Sequence, residues 1–250
     1  MATCALVLVA ACSVDNPDGE PGAVSSRADP SGGDSSEPAE ETAPPEVEYV
    51  NVEPLELGHA EPLWAALCGP DDASLWTYRA DDPPGDVAGM RAWVEACNAS
   101  TDSVTYALVP AETGTAAGVA SFFRIDPDHG SIEVAALLYA RTLQRSRAAT
   151  EAIRLLAGYV FDDLGYRRFE WKLDSLNAPS ASAARRLGFR YEGRFRNAMV
   201  YKGRNRDTDW FAMTEEDWRS LRPAYDAWLA TDNFDADGRQ RTRLSDRMTD

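Results

Sequence analysis

The chain has 250 residues, enough for one or two domains, and its 41 acidic against 25 basic side chains give a net charge of −16. That balance speaks against a general nucleic-acid binder, whose footprint is basic. No run of about 18 apolar residues occurs that could span a bilayer, the four cysteines lack any close Cys-x-x-Cys spacing, and two histidines do not make a histidine-rich metal site.

The first twelve residues carry a short apolar run, Cys4 to Ala11, and Val9-Ala10-Ala11-Cys12 resembles a bacterial lipobox, which would make Cys12 a lipidated anchor. The run is short and no Lys or Arg precedes it, so a chance match or a misplaced start stands as the other reading. Residues 13–48 are almost entirely Ser, Gly, Pro, Ala, Asp and Glu. Residues 1–48 together hold ten acidic side chains against a single cation, Arg27. Such a segment cannot bury enough apolar surface to offset its ordering entropy and reads as a disordered, self-repelling linker.

The folded domain is expected over 49–230. Val50, Val52 and Leu55 fit a first strand, and helices follow at His59 to Leu67 and Met90 to Cys97. Val104 to Val109 reads as a strand closed by Pro110. Gly114 and Gly118 bracket a turn before a strand at Val119 to Ile125. The tight-turn run Asp126 to Gly130 then joins it to Ile132 to Leu138 as an antiparallel hairpin. Ile153, Leu156, Ala157, Val160, Phe161 and Leu164 form one helical stripe that Gly165 stops. Phe169, Trp171 and Leu173 alternate with Arg168, Glu170 and Lys172 as a strand. A short helix at Ser180 to Leu187 ends at Gly188. Strands at Phe189 to Lys202 and Thr208 to Met213 flank a turn at Gly203 to Arg206, and a helix covers Asp217 to Leu229. Residues 231–250 read as a polar tail, mobile from Ala236. The order β-α-α-β-β-β-α-β-α-β-β-α predicts a mixed α/β (α+β) sheet with helices on its faces.

Chemistry concentrates at Gln144-Arg145-Ser146-Arg147-Ala148-Ala149-Thr150, between a buried strand and the strongest helix. A helix N-terminus offers unpaired N–H groups and the positive end of the dipole, and the small Ala148 and Ala149 admit a ligand to the backbone. Residues 139–207 hold 15 cations against 7 anions, which suits a small polyanion within an acidic protein. A solvated basic helix start is the plainer reading of the same residues.

Gln144 to Ala149 resembles the pyrophosphate motif Q/R-x-x-G-x-G/A. It is followed in order by Asn177-Ala178-Pro179-Ser180, Leu187-Gly188-Phe189 and Tyr191-Glu192-Gly193. Over roughly 50–215 this set resembles the GNAT superfamily of acetyl-CoA-dependent N-acyltransferases, and is most similar to its ribosomal-protein N-acetyltransferase (RimJ/RimL type) branch. The resemblance implies a mostly antiparallel six- to seven-stranded sheet with a central splay, and acetyl-CoA as donor with no metal. Backbone N–H groups from Arg145 to Thr150 would cradle the pyrophosphate, and pantetheine would lie along the strand ending at Leu138. A backbone N–H at Leu137 or Leu138 would polarise the thioester, Asn177 would meet the pantetheine arm, and Ser180 would protonate the leaving thiolate.

Three departures from the family pattern stand out. Arg147 occupies the motif's glycine position, Ala184 followed by Arg185 stands where many members carry a tyrosine acid, and Met199 stands where this branch has a glutamate base. Glu133 is the local substitute base, with an ordinary exposed strand carboxylate as the alternative. Glu170 and Asp174 read as structural charges, and Trp64, Trp76, Trp93 and Trp171 as packing aromatics. The expected activity is direct acetyl transfer to an amine, on a protein N-terminus or a small molecule. Transfer of another acyl group such as succinyl, or an acyl-CoA-binding module without turnover, are the alternatives. Since acetyl-CoA is kept inside cells, a cytoplasmic location is expected, with membrane attachment only through Cys12.

Overall fold

The computed structural model describes residues 49–248, so the lipobox reading of 1–12 and the linker reading of 13–48 lie outside the described residues. The elements follow in the expected order: β1 (Val50–Pro54), α1 (Ala60–Leu67), α2 (Val87–Asn98), β2 (Ser103–Pro110), β3 (Gly118–Asp126), β4 (Ser131–Tyr139), α3 (Arg147–Gly158), β5 (Arg168–Asp174), α4 (Ala178–Arg186), β6 (Arg190–Tyr201), β7 (Arg204–Thr214) and α5 (Glu215–Leu229). The seven strands form one open sheet ordered β1-β2-β3-β4-β5-β7-β6. All neighbours are antiparallel except β4 and β5.

Local chemistry explains the helix starts. The Asp86 carboxylate accepts from Gly89 N–H ahead of α2. Ser146 does the same for Ala149 ahead of α3, and Thr214 and Asp217 form a reciprocal capping box at α5. The α3 stripe is buried from Ile153 to Phe161. A π turn over Tyr159–Asp163 widens the helix there, which leaves Leu164 half-buried. An aromatic cluster links that face to the sheet: Phe161 stacks on Trp218 of α5 at 5.9 Å and meets Phe169 of β5 at 6.3 Å.

Two features of the central strands create the site. In β4 the pairing with β3 slips by one residue between Leu138 opposite Val119 and Ala135 opposite Ser121. Ala136 takes a left-handed conformation there, with φ of 53°. Ala136 and Leu137 together oppose the single residue Ala120, a β-bulge that bends the strand. Parallel pairing with β5 covers only Ser131 to Val134 against Arg168 to Trp171. Beyond the bulge the two strands part.

The chain after α5 does not trail away as a polar tail. Asn233 is buried and donates to the Trp228 carbonyl at 2.9 Å, and its side-chain oxygen accepts from Thr242 N–H at 3.1 Å. Trp228 donates through its indole N–H to Gln240 at 2.9 Å, and Leu244 is buried. A few anchoring side chains in a polar segment were enough to fold it back on α5, and composition alone conceals them.

Candidate active site

The gap between β4 and β5 opens into a cleft of about 2430 Å³. At one end lies the turn before α3. Gln144 closes that turn by donating from its side-chain amide to the Tyr139 carbonyl at 3.1 Å. Arg145 supplies the left-handed residue, φ 61°. Ser146 is occupied within the turn: its hydroxyl donates to Leu143 O at 2.7 Å and accepts from Ala149 N–H at 3.0 Å, while its N–H bonds Leu143 O at 3.3 Å. Thr150 N–H bonds Ser146 O at 3.4 Å. The predicted cradle is therefore narrower than Arg145 to Thr150, because the turn uses the N–H groups of Ser146, Ala149 and Thr150 itself. The N–H groups of Arg145, Arg147 and Ala148 have no partner among the described residues.

Arg147 begins α3 with helical backbone, so its position makes no demand for the motif's glycine. Its guanidinium turns away and lies between the rings of Tyr49 and Phe234, 4.7 and 4.6 Å from their centroids. A second cation reaches this end from α4 and was not anticipated. Arg186 donates to Thr150 Oγ1 at 3.2 Å through both terminal nitrogens and stacks 5.0 Å over Trp228. Among the described residues no carboxylate pairs with it, and burial pushes its pKa down. A half-buried cation without an anion, beside a helix N-terminus, fits a phosphate. Its sequence signal is weak, since it is one of several arginines and lies 36 residues beyond Thr150.

Leu137 and Leu138 form the middle of the wall. The bulge is clamped from outside by Arg79, which donates to the Ala136 carbonyl at 3.0 Å. Arg79 is itself held by Asp81, at 2.9 and 3.0 Å, and lies 5.4 and 5.5 Å from the rings of Trp76 and Trp93. Burial raises the Asp81 carboxyl, but the hydrogen bonds from Arg79 and Trp93 outweigh it and hold the group below its usual range. Trp76 and Trp93 pack, as expected, and what they pack is this clamp.

Across the cleft, Asn177 caps α4 by accepting from Ser180 N–H at 3.2 Å. The Ser180 hydroxyl accepts from the Trp171 indole at 3.0 Å, so Trp171 orients it as well as packing. Ala184, in the place of the missing tyrosine, is fully buried in the core.

At the other end, Glu133 is 4% exposed, which corrects the alternative of an ordinary exposed carboxylate. It lies in the central strand β4 between Phe123 of β3 and Glu170 of β5, where Arg124 and Lys172 both contact its Oε2, Lys172 at 3.1 Å. No side chain among the described residues takes Oε1. Lys172 also pairs with Glu170 at 2.6 Å, and Glu170 with Arg168 at 2.7 Å. Glu170 is thus structural: burial raises its carboxyl, and the two cations outweigh that and lower it. Asp174 is likewise structural, buried against Tyr201 Oη at 2.6 Å and Arg204. Met199 lines the cleft and carries no proton to exchange. Among the described residues no group of three or more His, Cys, Asp or Glu side chains is placed to hold a metal ion, and no helix is long and apolar enough to cross a membrane.

Residues 50–190 match the model of the acetyltransferase (GNAT) domain. Among solved structures, a GCN5-related N-acetyltransferase from Brucella melitensis is 42% identical. It covers 81% of this chain and 92% of its own, with a TM-score of 0.79. A GNAT-family structure from Chromobacterium violaceum is 35% identical over 76% of this chain and 100% of its own, with a TM-score of 0.65. The N-acetyltransferase p20 of Bacillus licheniformis is 26% identical over 174 residues, 68% of this chain and 96% of that protein. With a splayed central sheet, an anion-ready turn before α3 and a family match over more than half its length, the chain belongs to the GNAT acetyltransferases.

Proposed function

We propose that the protein moves an acetyl group from acetyl-CoA directly to a primary amine, with both substrates in the cleft at once. The observation that supports this most is the parting of β4 from β5 beside an α3 turn with unpartnered N–H groups and the carboxylate-free Arg186. The donor diphosphate rests on the N–H groups of Arg145, Arg147 and Ala148 and on Arg186. Pantetheine follows Leu137 and Leu138 into the gap and meets the Asn177 amide. A backbone N–H at Leu137 or Leu138 polarises the thioester carbonyl and holds the oxyanion.

Glu133 Oε1 takes a proton from the ammonium, directly or through water. The free amine attacks the carbonyl carbon, and the tetrahedral intermediate collapses with cleavage of the C–S bond. The thiolate takes the proton of the Ser180 hydroxyl, and the serine oxygen is restored by the second proton, which the acylated nitrogen loses as the amide forms. Because the Trp171 indole already donates to that oxygen, the serine proton points elsewhere and the resulting alkoxide keeps a donor. Holding both reactants together supplies much of the rate.

The Asn177-to-Ser180 element with its serine at the start of α4 supports kinship with the RimJ/RimL branch. Because the donor is kept inside cells, we place the domain in the cytoplasm, behind an acidic linker over 13–48. Ala184 and Met199 favour one other reading, an acyl-CoA-binding module without turnover. Differential scanning calorimetry with millimolar acetyl-CoA, paired with assay of free CoA thiol over a panel of amines, tests both. Stabilisation with thiol release supports transfer, stabilisation without it supports the module, and no stabilisation removes the reading.

A further inference from the structure

Resting on the acetyl-transfer reading, we propose that the acceptor is a small primary amine that also carries a carboxylate, and that Arg206 and the Trp210 indole bind this second group. In β7 the residues Arg206, Thr208 and Trp210 alternate onto one face of the sheet. Register places Lys172 beside Trp210 and Asp174 beside Thr208 on β5, and Met199 and Phe195 beside Arg206 and Thr208 on β6. Glu133 and Glu170, paired across β4 and β5, continue the same face. Arg206, Thr208, Trp210, Lys172, Phe195 and Met199 all line the cleft.

Two donors on this wall lack acceptors. Among the described residues Arg206 Nε and Trp210 Nε1 are both buried without a hydrogen-bond partner, and no ion pair reaches the Arg206 guanidinium. Buried N–H groups without acceptors are costly and uncommon in native proteins, so a pair of them lining one cleft calls for oxygens from outside the chain. Lys172, paired with Glu133 and Glu170, lies 3.8 Å over the Trp210 ring and fixes the indole from behind.

The carboxylates of this end are already taken. Glu133 holds Arg124 and Lys172, Asp174 holds Arg204 and Tyr201, and Asp81 holds Arg79. A polycationic acceptor finds no free carboxylate here for its additional ammonium groups. An amino carboxylate is matched at both ends: the Glu133 Oε1 lone pair for its ammonium, and the Arg206 and Trp210 donors for its carboxylate. The half-exposed Phe195 and Met199 side chains flank the apolar carbons between them.

The test uses matched pairs of amino acids and their carboxamides, with a linear polyamine as the cationic control, and reads CoA thiol release under saturating acetyl-CoA. The carboxylates are expected to exceed their amides at least tenfold in kcat/KM and to exceed the polyamine. Arg206→Gln should erase that preference, with the loss in the carboxylate substrates falling mainly on KM. Arg206→Lys should retain part of the preference, and Trp210→Phe, which removes the N–H together with part of the ring system, should lower it severalfold. The acetyl-CoA-induced rise in melting temperature, measured on every variant, certifies folding and donor binding. Preference for amides or for the polyamine, an unchanged ratio in Arg206→Gln, or a full acetyl-CoA shift with no acceptor in the panel used would each overturn the proposal while leaving donor binding intact. Absence of the acetyl-CoA shift in the unmutated protein overturns the underlying acetyl-transfer reading instead.

Discussion

The guanidinium of Arg79 donates to the carbonyl of Ala136 across 3.0 Å, joining the segment after α1 to the one left-handed residue of β4. A left-handed alanine costs on the order of 1–2 kcal/mol, and a charged donor on its carbonyl offsets a cost of that size. Strain of this kind is found at functional sites when neighbouring structure holds it in place.

Replacing Arg79 with Leu should therefore relax the bulge. We expect turnover to fall at least tenfold while the fold survives with a loss of about 1–3 kcal/mol, the range for a lost charged hydrogen bond. Initial rates and a thermal melt on the same preparation check this. Unaltered turnover would mean that the bulge holds itself.

Arg186→Gln should separate stability from donor affinity. The substitution removes a half-buried cation that has no carboxylate, so the unliganded protein should melt at the same or a higher temperature. It also removes a charged donor to phosphate, worth about 1.5–3 kcal/mol, so acetyl-CoA should bind roughly 10- to 150-fold more weakly. Titration calorimetry with CoA measures the second effect, and scanning calorimetry without ligand the first.

Ala149→Glu places a carboxylate three residues after the Ser146 cap, the arrangement of a capping box, so α3 should keep its stability. In the proposed complex the same carboxylate would face the diphosphate. Acetyl-CoA at about 100 times its dissociation constant should stabilise the unmutated protein by about 2.7 kcal/mol, a rise of roughly 5–10 °C at 2–4 °C per kcal/mol. The mutant should show no rise. Equal rises in both proteins would put the phosphates elsewhere.

Asp174 contributes to the acid side of stability, alongside Asp81 and Glu170. Burial raises its carboxyl, but Tyr201, the Leu176 N–H and Arg204 outweigh that and hold it below its usual value. In acid the unfolded chain accordingly binds the extra proton, and stability declines as pH falls below about 4, through the unfolded value and then the folded one. Arg204→Met should cost about 3 kcal/mol at neutral pH by leaving a buried carboxylate short of a partner, and should move the acid midpoint of unfolding upward. Circular dichroism along a pH titration of both proteins follows the shift.

The order of elements was legible because each carries a local signature: the stripe from Ile153 to Phe161, the alternation of Phe169, Trp171 and Leu173, and the turn run at Asp126 to Gly130. The α3 turn was legible for the same reason, since a helix start and its small residues are contiguous. What stayed hidden depends on contacts between distant segments. The run Ile132 to Leu138 contains no glycine or proline to announce the bulge, which arises from its register with β3 and from Arg79. Arg186 reaches Thr150 only once α4 is packed, and Arg206 stands out only when its buried Nε is seen to lack an acceptor among the described residues. Asn233 and Leu244 look like ordinary members of a polar stretch until Trp228 and Thr242 are brought beside them.

Arg147, sandwiched between Tyr49 and Phe234, makes the turn before α3 a clasp between the two margins of the domain. Tyr49 stands at the entrance to β1 and Phe234 in the segment folded back after α5, so one side chain ties the first strand to the last stretch of chain. A glycine at this position would free the turn's backbone and at the same time unfasten both margins. A pull on the segment after α5 would therefore load this stack and, through it, the start of α3.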